Sequence, residues 1–264
     1  MTSIGFIGGG KMAEAIIKGL ISSKSFALPG MRVSEPDPGR KKYLEEQYLI
    51  SVTDNNREVI TLSDIVVLAV KPQVLTKVLP EITPRAGQLL ISIAAGITLS
   101  YMEKRLPNAS IVRAMPNNPA LVGAGMTALA VGGKVGKEQL EKARRIFGSV
   151  GQVVEVEEKV MDAVTGLSGS GPAYVYLMIE ALAEAGKKLG IEQQSAEKLA
   201  VETVLGAART MKETGKSAQE LREMVASPGG TTMEGLKVLE KKKFVEAVVE
   251  AVKAAAEKSK KLSQ

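Results

Sequence analysis

Short apolar runs alternate with amphipathic stretches in the first half of the chain, which predicts strands separated by helices. The runs are continuously apolar, as is typical of a parallel sheet that is covered on both faces. We predict strands at residues 4–7, 31–34, 65–70, 89–93, 111–115, 127–131 and 151–156, and helices at 12–21, 74–79 and 137–147.

After about residue 157 the strand pattern stops and alanine-rich helical patterns take over, at residues 174–189, 195–211, 218–225, 232–239 and 244–258. The first two of these helices are apolar around most of their circumference, which predicts burial on most sides. A helical region of this size has little interior, so we expect a second subunit to cover it. The sequence therefore predicts an α/β domain with a doubly wound parallel sheet at residues 1–157 and an all-helical dimerisation domain at 158–264.

The first predicted strand ends in a glycine-rich turn that leads directly into a helix. Gly8, Gly10 and Ala13 form a Gly-x-Gly-x-x-Ala pattern, in which Gly8 permits the tight turn and Gly10 lets a phosphate approach the backbone. The N–H groups and positive dipole end of the helix then face the phosphates. Because strand, turn and helix follow in the required order, we interpret the turn as a dinucleotide-binding loop rather than an ordinary glycine-rich turn.

The residues after the second predicted strand lie where a dinucleotide-binding domain selects the adenosine ribose. Glu35 is suited to accept hydrogen bonds from the two ribose hydroxyls of NAD, whereas Ser34 with the cations at 40–42 is suited to the 2′-phosphate of NADP. Both sets are present, and the residues alone leave the choice open.

Three loops at the predicted carboxyl ends of strands are rich in small residues and prolines, at 69–72, 94–96 and 115–119. Ligands of open parallel sheets bind at this edge, so three such loops beside a glycine turn favour a pocket over ordinary short turns. In the helical half, we predict two loops, at residues 166–174 and 227–232, that combine glycines with hydroxyls at helix starts. Such segments can hold a carboxylate without His or Arg, and helix capping is the alternative.

The composition excludes several kinds of chemistry. The chain has no cysteine and no histidine, which removes thiolate metal sites and the commonest general acid–base, and we expect no bound metal. Any catalysis must rely on a cofactor, on hydroxyls, on lysine or carboxylate side chains, or on the substrate's own protons. The net charge of +6 is scattered and aromatic residues make up only 3%, which argues against a nucleic-acid partner. Since we find no signal-peptide pattern and no apolar run of about 18 residues, we expect a cytoplasmic protein without a membrane partner.

Together these motifs resemble pyrroline-5-carboxylate reductase, the last enzyme of proline biosynthesis, over essentially the whole chain. The most specific segments are residues 162–174 and 227–232, supported by 69–72 and 115–117. The resemblance implies a Rossmann domain and a helical domain that intertwines into a homodimer, with dimers often assembled into larger rings. It also implies hydride transfer from NADPH, with NADH often accepted, to the cyclic imine 1-pyrroline-5-carboxylate.

The resemblance further implies which residues form the site. Thr232 would act on the ring nitrogen by hydrogen bonding, with Lys71 as the alternative polar group. On chemical grounds no strong enzymatic acid is required, because that nitrogen can be protonated in solution. The residues implied to contact the cofactor are Gly8, Gly9, Gly10, Lys11, Met12, Ser34, Asn56, Ala69, Val70, Lys71, Pro72, Ala95 and Gly96. The residues implied to contact the substrate are Val225, Ser227, Gly229, Gly230, Thr231 and Thr232.

Two departures and two alternatives accompany this interpretation. Asn118 stands where the family often has threonine. Glu35 follows Ser34, and this second departure leaves the preference for NADP over NAD open.

A β-hydroxyacid dehydrogenase or another imine reductase is the alternative enzyme, but the catalytic Lys and Asn of the β-hydroxyacid dehydrogenases are missing from residues 172–177. A non-catalytic dinucleotide-binding protein would keep the glycine turn but would not need segment 227–232.

Overall fold

The computed structural model describes residues 2–24 and 28–262, and packing divides the chain into two compact units. The first comprises the described parts of residues 1–170 and 253–264, and the second comprises residues 171–252. The last helix of the chain therefore contributes to both units. This division differs from the predicted boundary between residues 157 and 158, which remains a prediction about functional domains.

The first unit is built on one eight-stranded sheet with the strand order β3-β2-β1-β4-β5-β6-β7-β8. All seven strands predicted from the apolar runs are present, with small differences at their ends. The strands are β1 (Ile4–Ile7), β2 (Met31–Ser34), β3 (Ser51–Thr53), β4 (Ile65–Leu68), β5 (Leu89–Ser92), β6 (Ser110–Met115), β7 (Gly125–Val131) and β8 (Gly151–Glu155).

Two features of the sheet depart from the prediction. Strand β3 has no apolar run, because it is a three-residue edge strand in which only Val52 is buried. Strand β7 runs antiparallel to β6, so the sheet is not entirely parallel. The connection at residues 116–124 is a short 3₁₀ turn that ends at Gly123, whereas a parallel neighbour would need a crossover of a dozen residues or more.

Helices cover both faces of this sheet, and the second unit consists of helices and their connections. The sequence pattern misses α2, which is almost entirely polar with Leu44 as its buried residue, and the short helices α3, α5 and α7. The helices are α1 (Lys11–Ser22), α2 (Pro38–Tyr48), α3 (Asn56–Thr61), α4 (Pro72–Val78), α5 (Leu99–Arg105), α6 (Lys137–Gly148), α7 (Met161–Val164), α8 (Gly171–Lys188), α9 (Gln193–Thr214), α10 (Ala218–Val225), α11 (Thr231–Lys241) and α12 (Phe244–Leu262).

The sheet has an apolar core on each face, as continuous apolar strands require. Successive residues of β1 point to opposite sides, so that Phe6 packs in one core with Ile16 of α1 and Phe147 of α6. Ile7 packs in the other core, with Leu75 of α4 and the neighbouring helices. Both cores fix the strand ends whose loops are described below.

The second unit is a helical assembly in which α8 and α9 pack through small side chains. A Cβ added to Gly186 would come within 3.2 Å of the Ala196 Cβ, and Ala200 is buried. Large apolar side chains nevertheless remain exposed in the single chain, with Leu177 at 66% and Leu205 at 57%. An extended apolar surface of this kind marks a protein interface. Among the described residues, none of the helices combines the length and apolar character needed to cross a membrane.

Candidate active site

The carboxyl ends of β2, β1 and β4 meet at one edge of the sheet. The Gly8 N–H donates to the Ser34 carbonyl at 2.8 Å, and the Ala69 N–H donates to the Ile7 carbonyl at 2.8 Å. Gly8 has a φ of +95°, and an added Cβ would lie 2.8 Å from the Ala69 carbonyl oxygen. The turn off β1 therefore requires glycine, both for its conformation and for its close approach to the neighbouring strand.

The next part of the turn is open. A Cβ built on Gly10 meets no atom within 4 Å, so the backbone at this residue can be approached closely. Gly10 is the N-cap residue of α1, and within the described residues no side chain caps that helix. Because the first N–H groups of a helix lack intrahelical partners, the start of α1 is suited to bind an anion such as a pyrophosphate.

Gly9 is held at both its N–H and its carbonyl by side chains from the β2–α2 segment. Its N–H donates to Glu35 Oε2 at 2.8 Å, and its carbonyl accepts from Arg40 Nε at 2.6 Å. Glu35 Oε1 also accepts the Asp37 N–H at 3.0 Å. The Gly9 N–H is thus engaged within the protein, which leaves the N–H groups of Gly10, Lys11 and Met12 to face a ligand.

Arg40 is held in turn by Glu14 of α1. Glu14 Oε2 accepts from Arg40 Nη2 at 2.6 Å, while Oε1 accepts from the Tyr43 hydroxyl at 2.8 Å and the Tyr48 hydroxyl at 2.9 Å. Burial raises the pKa of Glu14, but the hydrogen bonds from Arg40 and the two tyrosines outweigh burial and hold the pKa below its usual value. Burial and the bond to Glu14 raise the pKa of Tyr48.

The structure brings together the two residues implied to lie near the adenosine ribose. Ser34 ends β2 and Asn56 begins α3, and the Ser34 hydroxyl donates to Asn56 Oδ1 at 2.7 Å. The Asn56 amide donates to Glu81 Oε2 at 3.1 Å. Glu35 faces the glycine turn, and Arg40 is committed to Gly9 and Glu14. Ser34 is only 2% exposed, and Asn56 is engaged at both its oxygen and its amide, so these two residues are also paired within the protein. Lys41 and Lys42 are the cations of this segment that lie on the exposed or half-exposed surface of α2.

The loops after β4 and β5 begin on the same edge. Ala69 and Val70 are half-buried beside Gly8, and Lys71 is an exposed residue that precedes α4. In the next loop Gly96 has a φ of +77° and is buried against Leu262, at the end of α12. An added Cβ there would lie 2.9 Å from the Leu262 Cβ, so Gly96 serves a close packing contact as well as any contact with a ligand.

The segment predicted as a loop at residues 166–174 is helical. Residues Thr165–Gly169 form a π-helical turn, and α8 begins at Gly171. The Asn117 side chain fixes this turn to the loop after β6, because it donates to the Ser168 carbonyl at 3.2 Å and accepts the Met126 N–H at 2.8 Å. The glycine at 169 makes room for the Met115 side chain, which an added Cβ would meet at 2.6 Å.

In the second unit, residues 227–230 form a tight turn before α11. The Gly230 N–H donates to the Ser227 carbonyl at 2.9 Å, and Gly229 has a φ of +71°. Proline at the second position and a left-handed glycine at the third are the signature of a type II turn. Gly230 is the N-cap of α11 and has no side chain to cap it, so the hydroxyl of Thr232, which lies inside the helix, is not the cap.

The sequence is similar to known proteins over its whole length. Residues 158–262 match the family model for pyrroline-5-carboxylate reductase dimerisation, and residues 3–96 match a model described as NADP oxidoreductase, coenzyme F420-dependent. A pyrroline-5-carboxylate reductase of Synechocystis is 50% identical over 262 residues, which cover 99% of this chain and 98% of the relative. The chain belongs to the pyrroline-5-carboxylate reductase family.

Solved structures of the pyrroline-5-carboxylate reductase family have the same fold. The enzyme from Coxiella burnetii superposes with a TM-score of 0.92 at 41% identity and covers 100% of this chain and 99% of its own. A Plasmodium falciparum pyrroline carboxylate reductase with NADP bound superposes with a TM-score of 0.91 at 34% identity, covering 100% and 98%.

The motifs that link this chain to the pyrroline-5-carboxylate reductase family leave out several residues that shape the site. Glu14 and Arg40 hold the glycine turn, and the buried Arg113 of β6 forms an ion pair with the half-buried Glu158 at 2.8 Å. Two of these residues carry a signal in the sequence, because Glu14 interrupts an apolar helix and Arg113 interrupts an apolar strand. A charge inside a buried element requires a partner, although the partner itself cannot be read from the pattern.

Proposed function

We propose that this chain reduces 1-pyrroline-5-carboxylate to L-proline with NADPH as the hydride donor. The observation that carries the proposal is the uncapped start of α1 beside the open surface of Gly10, next to the Ser34–Asn56 pair. A chain of the pyrroline-5-carboxylate reductase family needs such a nucleotide site. We assign the final step of proline biosynthesis to this chain, and we assign the chain to the cytoplasm.

The residues present fit NADPH. Gly8 and Gly9 shape the turn, while the N–H groups of Gly10, Lys11 and Met12 would hold the pyrophosphate. Ser34 and Asn56 would hold the adenosine ribose and its 2′-phosphate. The loops Ala69-Val70-Lys71-Pro72 and Ala95-Gly96 would line the nicotinamide end. When bound, the cofactor supplies the hydride, and the protein supplies position and electrostatics.

The substrate carboxylate is assigned to the turn at residues 227–230 and the start of α11. The N–H groups of an uncapped helix start favour an anion, and the hydroxyls of Ser227, Thr231 and Thr232 add donors. Within the described residues the Thr232 hydroxyl makes no hydrogen bond to protein, so it is available to orient the ring nitrogen. Val225, Gly229 and Gly230 would contact the ring and the carboxylate.

We assign the exposed apolar surface of α8 and α9 to the homodimer interface, and we infer that dimers assemble into a larger ring. The family model that matches residues 158–262 supports the dimer. In this proposal residues 1–157 are the cofactor domain, and residues 158–264 bind substrate and form the dimer.

The test is turnover with pyrroline-5-carboxylate and NADPH, followed by nucleotide absorbance and by quantification of proline. We expect proline to form in a one-to-one ratio with NADPH oxidised. Cofactor binding without proline under any condition would favour the non-catalytic alternative, and turnover of a β-hydroxyacid instead would favour the dehydrogenase alternative.

A further inference from the structure

The last turn of α12 packs on the loop that follows β5. Gly96 lies so close to Leu262 that an added Cβ would come 3.0 Å from the Leu262 carbonyl carbon. One turn earlier, Ser259 is only 3% exposed and donates its hydroxyl to Asp162 Oδ1 at 2.7 Å. Both contacts lie within the first unit, so the end of α12 is part of the same packed body as the sheet.

Asp162, which accepts the Ser259 hydroxyl, also lies beside the buried guanidinium of Arg113. Arg113 of β6 is 3% exposed, and its guanidinium faces Glu158 Oε1 at 2.8 Å and Asp162 Oδ1 at 3.8 Å. Glu158 Oε1 also accepts the Leu99 N–H at 3.1 Å, at the start of α5. A buried guanidinium is costly unless it is paired, so Arg113 holds both carboxylates in place.

These contacts fix the loop after β5 at two points. Leu262 packs on Gly96 in the middle of the loop, and Glu158 holds Leu99 where the loop enters α5. Thr98 caps that helix through the Tyr101 N–H at 3.1 Å. The loop that contains Ala95 and Gly96 is therefore held by the chain's last helical turn as well as by its own strand.

We propose that this last turn positions the Ala95-Gly96 loop for hydride transfer, with Ser259 and Leu262 as positioning residues that act through Asp162 and Gly96. The inference rests on the proposed function, in which this loop lines the nicotinamide end of the cofactor. A loop that shifts by a fraction of an ångström alters the alignment of the reacting atoms, which costs rate steeply. The bulk of the nucleotide is held elsewhere, at the start of α1 and at Ser34, so its affinity changes little.

The experiment compares Ser259→Ala and Leu262→Ala with Lys260→Ala, which changes an exposed residue of the same turn. For each full-length protein the readouts are the melting temperature, the dissociation constant of NADPH and the single-turnover rate of NADPH oxidation. The rate is measured with NADPH and with NADPH deuterated at the transferred position. Leu262→Met serves as the conservative variant, because it keeps side-chain volume.

We expect the first two variants to lose about tenfold in single-turnover rate, with a fully expressed deuterium isotope effect. The NADPH dissociation constant should change by less than about threefold, and Leu262→Met and Lys260→Ala should behave as wild type. A lowered melting temperature with an unchanged rate would assign the contacts to stability and overturn the inference. So would a rate loss explained by weaker NADPH binding. If wild type forms no proline, the proposed function fails and this inference fails with it, whereas an active wild type with unaffected variants removes the inference alone.

Discussion

The Glu14→Gln substitution tests the cluster that holds the glycine turn. The Glu14 carboxylate is 12% exposed and accepts three hydrogen bonds, from Arg40, Tyr43 and Tyr48. Glutamine keeps an oxygen for the two tyrosines but loses the charge and turns an amide N–H toward the Arg40 guanidinium. Arg40 is only 19% exposed, so it is left as a poorly compensated charge beside the Gly9 carbonyl.

The cost follows from the burial of this pair. Removing one partner of a fully buried ion pair costs about 3–5 kcal/mol. Because both side chains retain some contact with solvent, we expect about 2–3 kcal/mol after screening. For a unit of this size that loss corresponds to a melting temperature lower by about 4–12 °C.

The effect should depend on pH in a defined direction. The pKa of Glu14 is held below its usual value of 4.5, so the folded state binds fewer protons at this group than the unfolded state. The contribution of the ionised carboxylate is therefore complete above the pKa of the unfolded chain. It is lost as the pH falls through the lower pKa of the folded state, so the stability difference between wild type and Glu14→Gln should shrink in acid.

Denaturant unfolding at neutral pH and at successively lower pH measures this difference. The matched control is Glu46→Gln, which removes an exposed carboxylate, 68% accessible, from α2. NADPH affinity provides a second readout, because a loosened Arg40 releases the Gly9 carbonyl. Equal unfolding midpoints for Glu14→Gln and Glu46→Gln would refute the argument, as would a difference that stays constant through the acid range.

Three further predictions concern the proposed site and assembly. Thr232→Ala should lower turnover with little change in melting temperature, and the loss of turnover should grow with pH because less substrate arrives protonated. Initial rates over a pH series measure this loss. A lower melting temperature at unchanged turnover would contradict the prediction. NADPH should be preferred over NADH, and specificity constants in favour of NADH would return Glu35 to the ribose hydroxyls. The protein should sediment as a dimer or a larger assembly, and a stable monomer at micromolar concentration would contradict the role given to α8 and α9.

The sequence predicts those parts of the fold in which burial is continuous. Strands such as β4 and β5 are buried on both faces, and their apolar runs identify them directly. Strand β3 lies at the edge with a single buried residue, so its pattern carries no period that could be recognised. The antiparallel direction of β7 depends on the length and course of the preceding connection, which an apolar run does not encode.

The sequence predicts which loops form the candidate site, but it does not predict the directions in which their side chains point. The glycine turn and the loops after β4 and β5 follow from the order of strands, since the carboxyl ends of parallel strands share an edge. The direction of Glu35 does not follow, because it is decided by a contact with Gly9 from another segment of the chain. The same holds for Gly96, where the requirement for glycine comes from Leu262, far away in the sequence.

A chain without histidine has to obtain rate enhancement mainly from placement. The side chain assigned to the ring nitrogen is a hydroxyl, which orients the substrate but is a poor proton donor, so its removal should lower the rate in part rather than abolish it. The glycine turn, by contrast, is fixed on both sides of Gly9, and the loop after β5 is fixed by Leu262 and Glu158. If placement carries the reaction, substitutions of the side chains that hold these two loops should cost rate comparably to the loss of the Thr232 hydroxyl.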